Sequence, residues 1–145
     1  MIRPTNGRGQ RGSVTVELTL VVPSLVLMLA LLVAGGRLWF ARATVVEAAH
    51  SAARAASLSR TAAAAAADGR AAGQASLDTA GLQCAATSVR VQTAAFAVPV
   101  GTPATVRSTV SCTVPLGDIV IPGLPGAIRL TGEGAAALDT YRSRG

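Results

Sequence analysis

Residues 18–36 read LTLVVPSLVLMLALLVAGG, nineteen positions without a charge, bounded by Glu17 on one side and Arg37 on the other. Wound as a helix at about 1.5 Å per residue, such a run spans about 28 Å, close to the hydrocarbon thickness of a bilayer. The core helix of a soluble protein keeps a polar stripe for solvent, and this run has none. The stretch therefore predicts a transmembrane helix occupying residues 13–36. Pro23 lies inside it and removes one backbone donor, which predicts a helix kink of the kind membrane segments tolerate. Trp39 and Phe40 follow at the depth where amphipathic rings favour the bilayer surface.

Three arginines, Arg3, Arg8 and Arg11, precede the span, and Arg37 and Arg42 follow it. The bias is slight but favours a cytoplasmic N-terminus. A secretory signal peptide is the competing reading, with Ala41-Arg42-Ala43 imitating a small-residue cleavage site. A signal peptide has a shorter apolar region and does not normally open it with a carboxylate, so the expectation is a retained single-pass anchor. The C-terminal domain is then extracytoplasmic.

Immediately before the span stand Arg11-Gly12-Ser13-Val14-Thr15-Val16-Glu17. This arrangement resembles the N-terminus of type IV pilin-like proteins, where a basic leader ends in glycine and a prepilin peptidase cuts after it. The resemblance implies cleavage between Gly12 and Ser13, with residues 1–12 as the leader and Glu17 fifth in the cut chain. The proline six residues after the glutamate, and Gly36-Arg37-Leu38, resemble the TadE-like minor pseudopilins of the tight-adherence branch. So do the alanine-rich stretch from Ala48 to Ala56 and the terminal Asp139-Thr140-Tyr141-Arg142. The family pattern often has an aromatic after the glutamate, where this chain has Leu18. Independently of the family, a carboxylate at the edge of hydrocarbon is costly unless wetted, neutralised or paired. Cleavage after Gly12 frees an α-amine four residues away that can pair with Glu17, the role the resemblance implies in assembly.

Beyond the span the chain reads as α+β: a long N-terminal helix, half transmembrane and half extracytoplasmic, packed on a small antiparallel sheet. Residues 37–81 form the helical region and residues 82–145 a small β-rich domain. At 100° per residue Leu38, Val45, Ala49, Ala52 and Ala56 gather on one face, and Arg42, Glu47, His50, Arg54 and Arg60 are expected on the polar, solvated side. The helix is expected to continue to about Ala67 through six consecutive alanines, strong helix formers. Asp68-Gly69 then breaks or restarts it, and a second piece, 70–80, ends at Gly81 as a C-terminal cap. Alternation predicts strands at 88–92, 106–114 and 128–131, with Pro99, Gly101 and Pro103, then Pro115, Gly117, Pro122, Gly123, Pro125 and Gly126, in the connections. Cys84 and Cys112 are the only cysteines. Outside the membrane an even count favours a disulfide, worth about 3–4 kcal/mol in the chain-entropy model. With only Trp39, Phe40, Phe96 and Tyr141 as aromatics, the core depends on Val, Leu, Ile and Ala, and such a staple matters.

Thirteen arginines and no lysine produce the net charge of +6. They are spread along the chain without interleaved aromatics, so nucleic acid is not expected as a partner. His50 stands among charged helix neighbours, and one histidine with two distant cysteines lacks zinc-site spacing. No Ser–His–acid set and no phosphate-cradling glycine loop can be assembled. The expectation is a non-enzymatic chain with no cofactor and no small-molecule substrate. Its implied partners are a prepilin peptidase, other pilin-like subunits, a membrane assembly platform and the lipid bilayer. A membrane-anchored binding or sensory module that never polymerises is the alternative. Such an anchor has no need of a glycine at a fixed distance before a carboxylate.

Overall fold

A 48-residue helix, α1 (Arg11–Leu58), opens the computed structural model, which describes residues 11–119, 123, 125–141 and 143. The leader positions Arg3 and Arg8, the loop residue Pro122 and the terminal Arg142 lie outside the described residues. After α1 come α2 (Ala62–Thr79), β1 (Ala86–Gln92), a 3-10 turn (Ala94–Ala97), β2 (Ala104–Pro115), the single-turn α3 (Leu116–Ile119) and β3 (Ala127–Leu138). Contacts divide the chain into two units, Met1–Gly36 and Arg37–Gly145.

In the first unit α1 is apolar on every side. Leu18, Leu20, Leu25, Met28 and Leu31 are each more than half exposed, a surface suited to an apolar surrounding. The helix stays helical through Pro23. One residue on, the Ser24 hydroxyl donates to the Val21 carbonyl at 2.8 Å, a bond within the helix that satisfies the hydroxyl locally.

In the second unit the fold is α+β: the helix packs against a three-stranded antiparallel sheet of order β1-β2-β3. The central strand sets the core. Val106, Ser108, Val110, Cys112 and Val114, alternate residues of β2, are all essentially buried beneath Val45, Ala49, Ala52 and Ala56 of α1. Val45, Ala49, Ala52 and Ala56 are buried and Arg42, Glu47, His50 and Arg54 exposed, as expected, whereas Leu38 at the start of the apolar face is exposed and Arg60 falls beyond the end of α1. Because the buried helix face is mostly alanine, helix and sheet approach to backbone distance. The Ser108 hydroxyl donates to the Ala49 carbonyl at 2.5 Å, satisfying a buried polar group.

That closeness explains why β3 outruns its expected end. It pairs with β2 from Pro115↔Ala127 to Ala104↔Leu138, whereas alternation marked only 128–131. Gly132, Gly134 and Ala135–Ala137 have poor strand propensity. Their value is spatial: a Cβ on Gly132 would lie 2.6 Å from the Val45 carbonyl oxygen, and one on Gly134 would overlap the Ala49 carbonyl. Glycine in a strand here marks the passage of another backbone.

The helical region departs from expectation at one point. The first helix stops at Leu58, not near Ala67, and Asp68-Gly69 lies inside α2 instead of breaking it. Thr61 caps α2, its hydroxyl accepting from Ala64 N–H at 3.1 Å. The Ser59 hydroxyl donates to the Asp68 carboxylate at 2.6 Å, tying the reversal to the second turn of α2. The alanine run thus starts a helix that folds back. Gly69 approaches Ala52 and Ala56, and Gly73 approaches Ala52, so the two helices run antiparallel. Alanine propensity favours helix on both sides of Ser59 and cannot place the break.

The end of α2 is as expected. Gly81 adopts φ +70°, its N–H donates to the Asp78 carbonyl at 3.0 Å, and Leu82 N–H donates to the Leu77 carbonyl at 3.2 Å. This is the Schellman pattern, completed by Leu77 and Leu82 packing in the same core cluster. Gly81→Ala is expected to destabilise the second unit by about 1–2 kcal/mol, since an L side chain is strained at this φ. Thermal unfolding of the purified chain measures it.

Cys84 and Cys112 form the expected disulfide, with Cα atoms 5.4 Å apart. It ties the segment entering β1 to the middle of the sheet, and Cys112 is fully buried in the larger core cluster.

Candidate functional site

Two regions carry candidate chemistry. The first is the start of α1. Gly12, Ser13 and Glu17 all lie in its first two turns. Ser13 and Glu17 are one turn apart, about 6 Å along the axis. The side chains of residues 11–17 lie outside what is described, so the pairing expected of Glu17 rests on this spacing. From Leu18 onward the helix presents its exposed aliphatic surface, and past Gly36 come Trp39 and Phe40, 75% and 59% exposed.

The second region was not foreseen in the sequence, where the arginines look scattered. On the sheet face turned away from α1, register gathers them. Arg90 of β1 stands opposite Thr109, and Arg107 of β2 stands opposite Gln92. Arg129 of β3 stands opposite Thr113, and Thr131 opposite Ser111. Between the arginines the face is almost entirely Ser and Thr, and Glu133 is its one acid. An open depression of about 430 Å³ lies over this surface, with Arg90 and Arg129 among its lining residues. Arg70 of α2 joins Arg90 at a neighbouring depression along β1. Among the described residues, none of these four guanidinium groups makes an ion pair or hydrogen bond. The signal available in the sequence was parity: Arg90, Arg107 and Arg129 all occupy outward positions of their strands.

His50 is exposed on α1, and among the described residues no group of three His, Cys, Asp or Glu side chains could hold a metal ion. The other site residues divide cleanly. Gly12, Ser13, Glu17 and Pro23 share one helix, while Cys84 and Cys112 meet in the second unit.

The segment at the head of α1 has a known counterpart. Residues 12–54 match the TadE-like protein family. The TadE-like match opens at Gly12, takes in Glu17 and the apolar run, and ends within α1, before α2 and the sheet. TadE-like proteins are pilin-like and generally non-enzymatic, and their context is the tight-adherence pilus machinery. No curated protein and no solved structure matches the chain. The TadE-like segment is thus one long apolar helix at the N-terminus, of a length and composition consistent with a single membrane span.

Proposed function

We propose that the chain is a minor pseudopilin, cut by a prepilin peptidase between Gly12 and Ser13 and taking part in assembly of a tight-adherence pilus or a related secretion apparatus. The observation that carries this reading is the TadE-like match beginning at Gly12, with Glu17 one helical turn beyond Ser13 and the apolar run directly after.

Residues 1–12 are the leader in this reading, and residues 13–36 hold the cut chain in the membrane with its N-terminus at the cytoplasmic face. The disulfide-bonded unit then lies outside, where oxidising conditions maintain Cys84–Cys112. Pro23 bends the span. The α-amine of Ser13 and the carboxylate of Glu17, on one subunit or between neighbours, offset each other's desolvation at the hydrocarbon edge. Other pilin-like subunits and the membrane assembly platform are the partners.

Co-expression with a prepilin peptidase, followed by N-terminal sequencing of the membrane-fraction product, tests this. The expected product begins at Ser13. An uncut chain beside an active peptidase leaves a plain membrane anchor. A product beginning near Thr44 means ordinary signal-peptidase processing, and the assembly reading falls.

A further inference from the structure

We propose that the outward sheet face carrying Arg90, Arg107 and Arg129 docks an acidic polysaccharide, the arginines taking its carboxylates and the intervening Ser and Thr hydroxyls its sugar hydroxyls. The site rests on the extracytoplasmic placement argued above only for its biological setting.

Charge comes first. Arg90, Arg107 and Arg129 share the sheet face with one acid, Glu133, Arg70 lies beside β1, and none of the four is engaged in an ion pair among the described residues. Elsewhere the second unit does use its polar groups internally: Ser59 holds Asp68, and Ser108 holds the Ala49 carbonyl. A guanidinium with all its donors free presents a planar fork that matches carboxylate geometry.

Spacing comes second. Cross-strand register and residue rise put the Arg90 and Arg107 backbones about 8 Å apart, and those of Arg90 and Arg129 about 17 Å apart. One small anion cannot reach all three, whereas an extended chain bearing repeated carboxylates can.

The surface between the arginines chooses among polyanions. It is an open, shallow surface formed by short hydroxyl side chains, Ser88, Thr109, Ser111, Thr113 and Thr131, with no aromatic or large aliphatic residue on it. Stable protein interfaces centre on buried aromatic or aliphatic anchors, and single-stranded nucleic acid is held by aromatic stacking. This face offers neither. Hydroxyls that both donate and accept suit the hydroxyl-rich surface of a sugar chain.

The test uses the full chain in nanodiscs of zwitterionic lipid, with polygalacturonate as probe and neutral dextran, polyglutamate and duplex DNA as comparators. Polygalacturonate is expected to bind in a salt-sensitive manner, more tightly than any comparator. The variant Arg90→Gln/Arg107→Gln/Arg129→Gln should bind about tenfold more weakly. The charge-matched variant Arg42→Gln/Arg54→Gln/Arg60→Gln, whose arginines lie off the sheet, should bind like the parent. Both variants should unfold at the parent's temperature, because the substituted side chains are exposed. No binding of polygalacturonate, equal loss in both variants, or equal or tighter binding of polyglutamate or DNA overturns the proposal. Since the assay does not depend on membrane orientation or on leader cleavage, its failure leaves the pseudopilin reading untouched, and N-terminal sequencing tests that reading separately.

Discussion

Gly134→Ala is expected to lower the stability of the second unit by about 3 kcal/mol or more, through a single added methyl group. The methyl has nowhere to go. At Gly134 a Cβ overlaps the Ala49 carbonyl and lies 2.6 Å from the His50 nitrogen, and both are backbone atoms of a continuous helix. A flexible side chain could rotate away, but here α1 must lift from the sheet. Lifting it separates the Ser108 hydroxyl from the Ala49 carbonyl and loosens Val45, Ala49 and Ala52 over β2. A small domain has only about 5–15 kcal/mol in total, so the loss is a large share of it. Thermal unfolding in nonionic detergent should show the change as a drop of more than about 10 °C in midpoint. Gly35→Ala is the matched control, since a Cβ there meets nothing within 4 Å. Equal midpoints for Gly134→Ala and the parent would show that helix and sheet are not in backbone contact.

Glu17→Gln is expected to leave cleavage after Gly12 largely intact while reducing incorporation into the pilus assembly to background. Glutamine keeps the shape and removes the charge. On the proposed reading, the α-amine that cleavage creates at Ser13, one helical turn away, then stands at the hydrocarbon edge without its counter-charge. Breaking such a desolvated pair by removing one partner costs about 3 kcal/mol, on the order of a hundredfold in an equilibrium. Glu17→Asp, which retains the charge on a shorter stem, should recover part of the incorporation. Quantifying cut subunit in sheared fibre against the membrane fraction separates the two steps. Normal incorporation of Glu17→Gln would remove the pairing role from Glu17.

Much of the architecture is legible along the chain because it depends on local composition. The uncharged run from Leu18 to Gly36 is apolar whatever it meets, so its membrane length can be read directly. The inward parity of Val106, Val110, Cys112 and Val114 marks β2, and Gly81 marks a helix end, because each signal resides in the residue itself. The resemblance to TadE-like proteins is equally local, confined to the head of α1.

Other features depend on residues distant in sequence. Ser59 reads as one more helix-compatible residue until Asp68 supplies an acceptor nine positions later. Gly132 and Gly134 read as strand breakers until the α1 backbone occupies the space their missing side chains leave. Arg90, Arg107 and Arg129 read as scattered charges until the β1-β2-β3 register sets them on one surface. By itself the sequence determined the order of helical and strand regions and which segment is apolar enough to cross a bilayer. Only the tertiary structure decided where the first helix ends, how far β3 runs and which charges share a face. The physical reason is that propensity and hydrophobic period are properties of neighbours in the chain, whereas close backbone approach and strand register exist only once distant segments have packed.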